Sequence, residues 1–179
     1  MQTEINKYYH IYNRGCNKEK IFHTEEDYEK LMHYILSSDH KDYFSLYAFA
    51  LMPNHFHFFM KQVSEKPIAK WFQFIFNRYV QYFNRKYNRT GTIFESRIKT
   101  KEIGNEDYYN LIAHYIHNNP NNKFQRKYCS ISRLDENSLI CPDFYIETFG
   151  SIENYLKTFE EFEIEKELEK IEEYIWGNG

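Results

Sequence analysis

Cysteine is scarce in this chain of 179 residues: there are three, Cys16, Cys129 and Cys141. The number is odd and no Cys-x-x-Cys occurs, so neither a disulfide framework nor a zinc–cysteine site is indicated. The sequence also lacks a signal peptide and any uninterrupted apolar run of membrane length. A reducing cytoplasm is the default compartment, and no membrane partner is expected. No internal repeat is visible. Nor is there an excess of positive charge, because 23 Lys and Arg face 26 Asp and Glu for a net −3. Taken alone, that total argues against a nucleic-acid partner.

The distribution of charge reverses the impression. Residues 1–130 carry 19 basic and 13 acidic side chains, a net +6, whereas residues 131–179 carry 4 and 13, a net −9. Within 61–101, ten basic residues face only Glu65 and Glu95, a local +8. A basic body with an acidic end points to a polyanionic partner; the plainer reading is a solvated helix face. Apolar residues make up 42% of the chain and charged ones 27%, as in a soluble globular domain with a true core. The 17 Tyr and 16 Phe fit an aromatic-rich core, and also fit a surface for stacking on unpaired bases.

Periodicity gives the elements. KYYHIYNRG (7–15) alternates and ends on a turn residue, as a first strand would. Thr24 and Asp27 form a capping-box pattern opening a helix to about Leu36. YFSLYAFALM (43–52) and NHFHFFMKQ (54–62) read as two strands, joined at Pro53-Asn54 by a tight hairpin or a bulged continuation. Pro67 suits the first turn of a long helix to about Tyr87, with Ile68, Trp71, Phe72, Ile75, Phe76, Tyr79, Val80 and Phe83 on its apolar stripe. Arg78, Arg85, Lys86 and Arg89 lie off that stripe. Residues 93–103 read as a fourth strand, with Arg97, Lys99 and Lys101 sharing a face by the period of two. A helix over 106–118 follows, capped by Asn105 and ended by Pro120. Signals weaken beyond Asn122, and a final acidic helix is expected over 160–176. The order of elements predicts an α+β sandwich, one mostly antiparallel sheet with helices on one face.

Chemistry concentrates in LMPNHFHFFMK (51–61). In a strand His55 and His57 point to one face and Phe56 and Phe58 to the other. On the 106–118 helix, Tyr108, Ile112, Tyr115 and Asn119 fall near one stripe, so Tyr115 and Asn119 can reach the histidine face. Two imidazoles and an amide oxygen form a three-ligand set suited to Mg²⁺ or Mn²⁺, with Zn²⁺ chemically allowed. A cation there would polarise a phosphodiester for attack by Tyr115. His114 and His117 flank the tyrosine but diverge around the helix and are poor candidates for its base. Each piece alone has a bland reading: a His-x-His on an apolar strand is usually core or surface histidine, and Tyr115 is one tyrosine among 17.

Together the pieces resemble the single-tyrosine HUH transposases, and within them the REP-associated tyrosine transposases. The resemblance rests on YHIYNRG, LMPNHFHFFMK, GTIFESRIKT and YIHNNP, in that order, from Tyr9 to about Arg133. It implies a ferredoxin-like fold with the histidine pair central in the sheet and the tyrosine on a helix nearby. It implies cleavage and rejoining of single-stranded DNA at hairpin-forming palindromes, with a divalent metal and a covalent phosphotyrosine. The pair maps to His55 and His57, the nucleophile to Tyr115 and a third ligand to Asn119. Leu111 stands four residues before Tyr115, which fits a mechanism with one tyrosine. Arg14, Arg78, Arg85, Lys86, Arg89, Arg97, Lys99 and Lys101 are the expected DNA contacts. Both a homodimer with exchanged tyrosine helices and a self-sufficient single chain occur among such relatives. Where relatives often carry a Trp-Ser-Ser-Tyr-like segment, this chain reads Tyr128-Cys-Ser-Ile-Ser132. The expected organisation is a catalytic domain over 1–133 and an acidic, mostly helical extension over 134–179 that is not independent. A non-catalytic DNA-binding module and a hydrolase of small phosphoesters are the alternatives.

Overall fold

Alternating apolar residues build the sheet on which everything else is placed. In the computed structural model, which describes residues 3–104, 106–134 and 139–161, four strands form: β1 (Tyr8–Arg14), β2 (Phe44–Met52), β3 (His55–Gln62) and β4 (Lys99–Ile103). Their order is β2-β3-β1-β4, with β1 antiparallel to both neighbours and β2 antiparallel to β3. Helix α1 (Glu25–Leu36) joins β1 to β2, and α2 (Ile68–Lys86) joins β3 to β4. This β-α-β-β-α-β order is the ferredoxin-like arrangement.

The two faces of the sheet are covered differently. Phe56 and Phe58 of β3 meet Phe76 and Phe72 of α2 at ring-centre distances of 4.5 and 5.4 Å. The apolar stripe of α1 (Tyr28, Leu31, Met32 and Ile35) is buried beside α2. The expected cover on one face is therefore supplied by α1 and α2. The opposite face, carrying His55, His57 and Phe59, receives a third helix, α3 (Glu106–Asn118), whose Tyr109 and Tyr115 pack on Phe59 and His57.

Asp27 fixes the start of α1. Its carboxylate accepts from the His23 and Thr24 amides, completing the capping box, and from the Tyr87 hydroxyl. Pro53 and Asn54 form a two-residue turn, since Met52 pairs with His55. The tight hairpin is thus the form adopted. The fourth strand begins at Lys99 rather than Ile93. Residues 93–98 leave the alternation because Phe94 turns into the core against Phe56 and Phe76, and Asn13 Nδ2 donates to the Ser96 carbonyl at 3.0 Å.

Past the sheet come α4 (Lys123–Lys127), α5 (Asp143–Phe149) and α6 (Ile152–Glu161). Residues 128–130 cover the open edge of β2: Leu51 N donates to the Tyr128 carbonyl, and Phe49 N to Ser130 Oγ. Tyr145 of α5 is fully buried and donates to the Tyr47 carbonyl at 2.6 Å. Tyr155 of α6 packs on His114 and His117 of α3. The expected cap Asn105, and the part of the expected last helix beyond residue 161, lie outside the described residues.

Candidate active site

Strand pairing assembles the site's floor. Tyr12 of β1 stands opposite His57 of β3, Arg14 opposite His55, and His10 opposite both Phe59 and Lys101 of β4. Directly opposed residues share a face, so His10, Tyr12, Arg14, His55, His57, Lys99 and Lys101 all lie on the face that α3 covers. Tyr115 is buried with its ring edge-on to His57, at 5.2 Å and 82°. Asn119, just past the end of α3 and one turn after Tyr115, reaches His55. Tyr115, His55, His57 and Asn119 are thus brought together. His114 and His117 face the other way, towards α6.

The hydrogen bonds define which lone pairs are available. Asn54 Nδ2 donates to the Lys18 carbonyl at 3.2 Å, which turns its Oδ1 to His55 Nδ1 at 2.7 Å. Asn54 Oδ1 thus faces one ring nitrogen of His55. Asn119 Nδ2 donates to the Tyr115 carbonyl at 2.8 Å, which turns Asn119 Oδ1 to His55 Nε2 at 3.2 Å. Burial lowers the His55 pKa, Asn119 pulls it partly back, and Arg14 lowers it further. A neutral His55 ring carries one proton, so it donates to one of these two amide oxygens and turns a lone pair to the other. With the proton on Nδ1, Nε2 and Asn119 Oδ1 are two acceptors 3.2 Å apart, a pair that a cation lying against both would hold together.

His57 is fully buried, and burial, with His10 and His55 beside it, pushes its pKa well down. Its Nδ1 lies 2.9 Å from Nε2 of His10, a residue whose pKa burial lowers to about 3. Tyr12 stacks on His10 at 4.8 Å. The donor set of two neutral imidazoles and an amide oxygen fits a divalent cation, and 3.2 Å is close to the roughly 3 Å between adjacent ligands of an octahedral ion with bonds of about 2.1 Å. Among the described residues no three His, Cys, Asp or Glu side chains group as a metal site by themselves; the amide is needed to complete this one.

The expected DNA contacts divide between two faces. Arg14 and Lys99 both pair with Glu95, the latter at 3.3 Å, on the α3 face near His55. Lys101 stands beside His10, its pKa lowered by burial. Arg97 does not share their face: it precedes β4 and lines a cleft against α2. Since the apolar stripe of α2 lies on Phe56 and Phe58, its basic positions point away from Tyr115. Arg78 covers the Tyr34 ring at 4.5 Å, and Arg85 lies in the same outer groove with Lys30. Arg89 reaches Glu19 at 4.0 Å. Lys86 is held by Asp27 and Glu26, both at 2.8 Å, and by Thr24 and Tyr82. Burial opposes its charge, but these contacts outweigh it, raise its pKa and compensate the charge within the fold.

His10, Tyr12, Asn54 and Glu95 also belong to the site and escaped the sequence reading. A signal for two of them existed, since YHIYNRG places His10, Tyr12 and Arg14 on one strand face by the same period of two that pairs His55 with His57.

A ferredoxin-like sheet with a His-hydrophobic-His pair in a central strand, faced by a tyrosine helix, defines the HUH class of α+β proteins. Residues 3–119 match the model of the IS200-like transposase family, and the chain belongs to that family. It is a transposase by class. No curated protein matches it. Among solved structures, a REP-associated tyrosine transposase bound to a REP hairpin shares the fold with a TM-score of 0.59, at 15% identity over 79% of this chain and 86% of that one. A candidate transposase from Deinococcus radiodurans R1 matches with a TM-score of 0.45, at 14% identity over 66% of this chain and 95% of that one. Among the described residues no helix is long and apolar enough to cross a membrane.

Proposed function

We propose that this chain cleaves and rejoins single-stranded DNA beside hairpin-forming palindromes through a covalent bond to Tyr115. The observation that carries the reading is the 3.2 Å approach of His55 Nε2 and Asn119 Oδ1, one helical turn from a tyrosine packed on His57. His55, His57 and Asn119 would hold Mg²⁺ or Mn²⁺, which when bound would supply positive charge to the phosphodiester oxygens. Tyr115 oxygen forms the new bond to phosphorus as the bond to the 3′-oxygen breaks. The phenol gives up its proton and the departing 3′-oxygen takes one up. The phosphoester bond is exchanged rather than hydrolysed, so a second 3′-hydroxyl can reverse the step and join a new end.

Arg14, Lys99 and Lys101 surround this face and suit the backbone of the reacting strand. The hairpin bound by the REP-associated relative supports a hairpin substrate here. Tyr115 packs on a histidine of its own chain, which supports a site complete within one chain. The test is labelled hairpin DNA with single-stranded flanks, incubated with Mn²⁺ and run on a denaturing gel. A shifted, protease-sensitive band is expected from the natural chain and none from Tyr115→Phe, which should still bind the DNA. Adduct at full yield from Tyr115→Phe would remove the tyrosine from this role, and binding without adduct in the natural chain would favour a non-catalytic module.

A further inference from the structure

Residues 95–99 form a wall with two sides. Glu95 and Lys99 pair on one side with each other and with Arg14, on the face that carries the histidine pair. Ser96, Arg97 and Ile98 line the other side, where a cleft of about 610 Å³ opens between the wall and α2. Asn13, next in sequence to Arg14, lies on the cleft side and holds the wall through the Ser96 carbonyl. The cleft and the candidate active centre are therefore back to back across one segment of chain.

We propose that this cleft is a binding pocket for one unpaired nucleobase of the strand that passes the histidine pair; the proposal rests on the reading of the chain as a single-strand DNA transferase. Its floor is apolar, with Phe76 and Phe94 packed at 5.5 Å and 68°, which suits the faces and edges of an aromatic base. Gln73 and Asn77 are exposed at its rim, one helical turn apart on α2. Each amide offers donors and an acceptor, the pattern needed to read the polar edge of a base. No acidic side chain lines the cleft among the described residues, and Arg97 supplies positive charge at its mouth. An apolar floor, two amides and one guanidinium match a base with its phosphate better than a purely apolar or cationic ligand. The shared wall identifies the occupant as part of the same strand, since the backbone has only to cross residues 95–98 to connect the two sites.

The test uses the four deoxynucleoside 5′-monophosphates as probes, titrated separately into ¹⁵N-labelled full chain and followed by NMR. At least one is expected to shift the Gln73 and Asn77 side-chain amides and the Gly91 amide saturably. Asn77→Ala and Arg97→Ala, both at exposed positions, are each expected to weaken that binding by about tenfold, the scale of losing one anchoring contact to a base. Ala69→Trp, which fills the cleft from α2, is expected to abolish it. The pocket is overturned if none of the four probes gives a saturable shift at these amides, or if Asn77→Ala and Arg97→Ala both bind as tightly as the natural chain. The hairpin adduct assay keeps the two readings apart. Adduct without nucleotide shifts removes the pocket and leaves the transferase, whereas nucleotide shifts without adduct do the reverse.

Discussion

His10 Nε2 and His57 Nδ1 lie 2.9 Å apart, and both rings are fully buried. One must donate and the other accept, so the two tautomers are linked. If His57 is to offer the Nε2 lone pair to a cation, its Nδ1 carries the proton and donates to His10. Replacing His10 by Ala should lower Mn²⁺ affinity by about 10–100-fold, while His10→Gln, which can still accept, should lose less. Calorimetric titration of Mn²⁺ into each variant decides the matter. Equal losses in both would mean that His10 acts by filling space.

Much of this arrangement was legible beforehand, because a strand's period of two and a helix's stripe are local properties. His55, His57, Tyr115 and Asn119 needed only those periods to be placed on facing surfaces. His10 needed one fact more, the register that sets Tyr12 opposite His57. Register is a property of two distant segments. The same limit explains Lys86 and Arg97. Period alone put Lys86 on an outer helix face and could not reveal Asp27 across the α1–α2 contact. A period of two over 93–103 groups Arg97 with Lys99, but Phe94 and Asn13 interrupt that alternation.

Lys86 and Lys101 should respond differently to salt. Each phosphate contact removed from a single-stranded complex lowers the slope of log affinity against log salt by about 0.7. Lys101→Ala should show that change in anisotropy titrations over several salt concentrations. Lys86→Ala should instead lower the unfolding temperature, because Asp27 loses a charged partner. A slope change in Lys86→Ala equal to that in Lys101→Ala would return Lys86 to the DNA surface.

Asp27 itself should report on acid stability. Burial pushes its carboxyl pKa up, but hydrogen bonds from Lys86, Tyr87 and the Thr24 and His23 amides outweigh that and hold it at about 2. The folded pKa is below the unfolded one, near 3.8, so the stabilisation is complete above about pH 4 and is lost as pH falls towards 2. Its size is about 2 kcal/mol. Asp27→Asn should unfold at lower urea than the natural chain at pH 7, with the gap narrowing at pH 3. A gap of constant width would assign the loss to packing and not to charge.

Gly15 is required by close approach. A Cβ there would stand 2.0 Å from the Glu19 carbonyl oxygen, and the Gly15 amide donates to Asn54 O at 2.7 Å, beside His55. Gly15→Ala must move either the 16–19 turn or the 53–54 hairpin. A cost of about 1–3 kcal/mol is expected, together with weaker Mn²⁺ binding as Asn54 shifts from His55. Unchanged values in both urea unfolding and calorimetry would show that the turn yields freely.

His117 ties the helix that carries Tyr115 to the C-terminal extension. Its Nδ1 lies 2.5 Å from the Tyr155 hydroxyl, and its Nε2 lies 2.7 Å from Ser130 Oγ. Burial, with His114 nearby, lowers its pKa from 6.5 to about 3. Between those values the unfolded chain binds a proton here that the folded chain does not. Stability therefore rises with pH across that window, by about 1.4 kcal/mol per unit from this group, and levels off above 6.5. Urea unfolding from pH 5 to 7.5 should show this slope, and His117→Gln should reduce it by the contribution of one proton. Tyr155→Phe removes a buried partner and should cost about 1–3 kcal/mol at pH 7. Because α6 lies behind α3, the same variant should slow adduct formation at temperatures where the chain remains folded. A variant that loses stability but forms adduct at the natural rate would make α6 a structural cover with no part in positioning Tyr115.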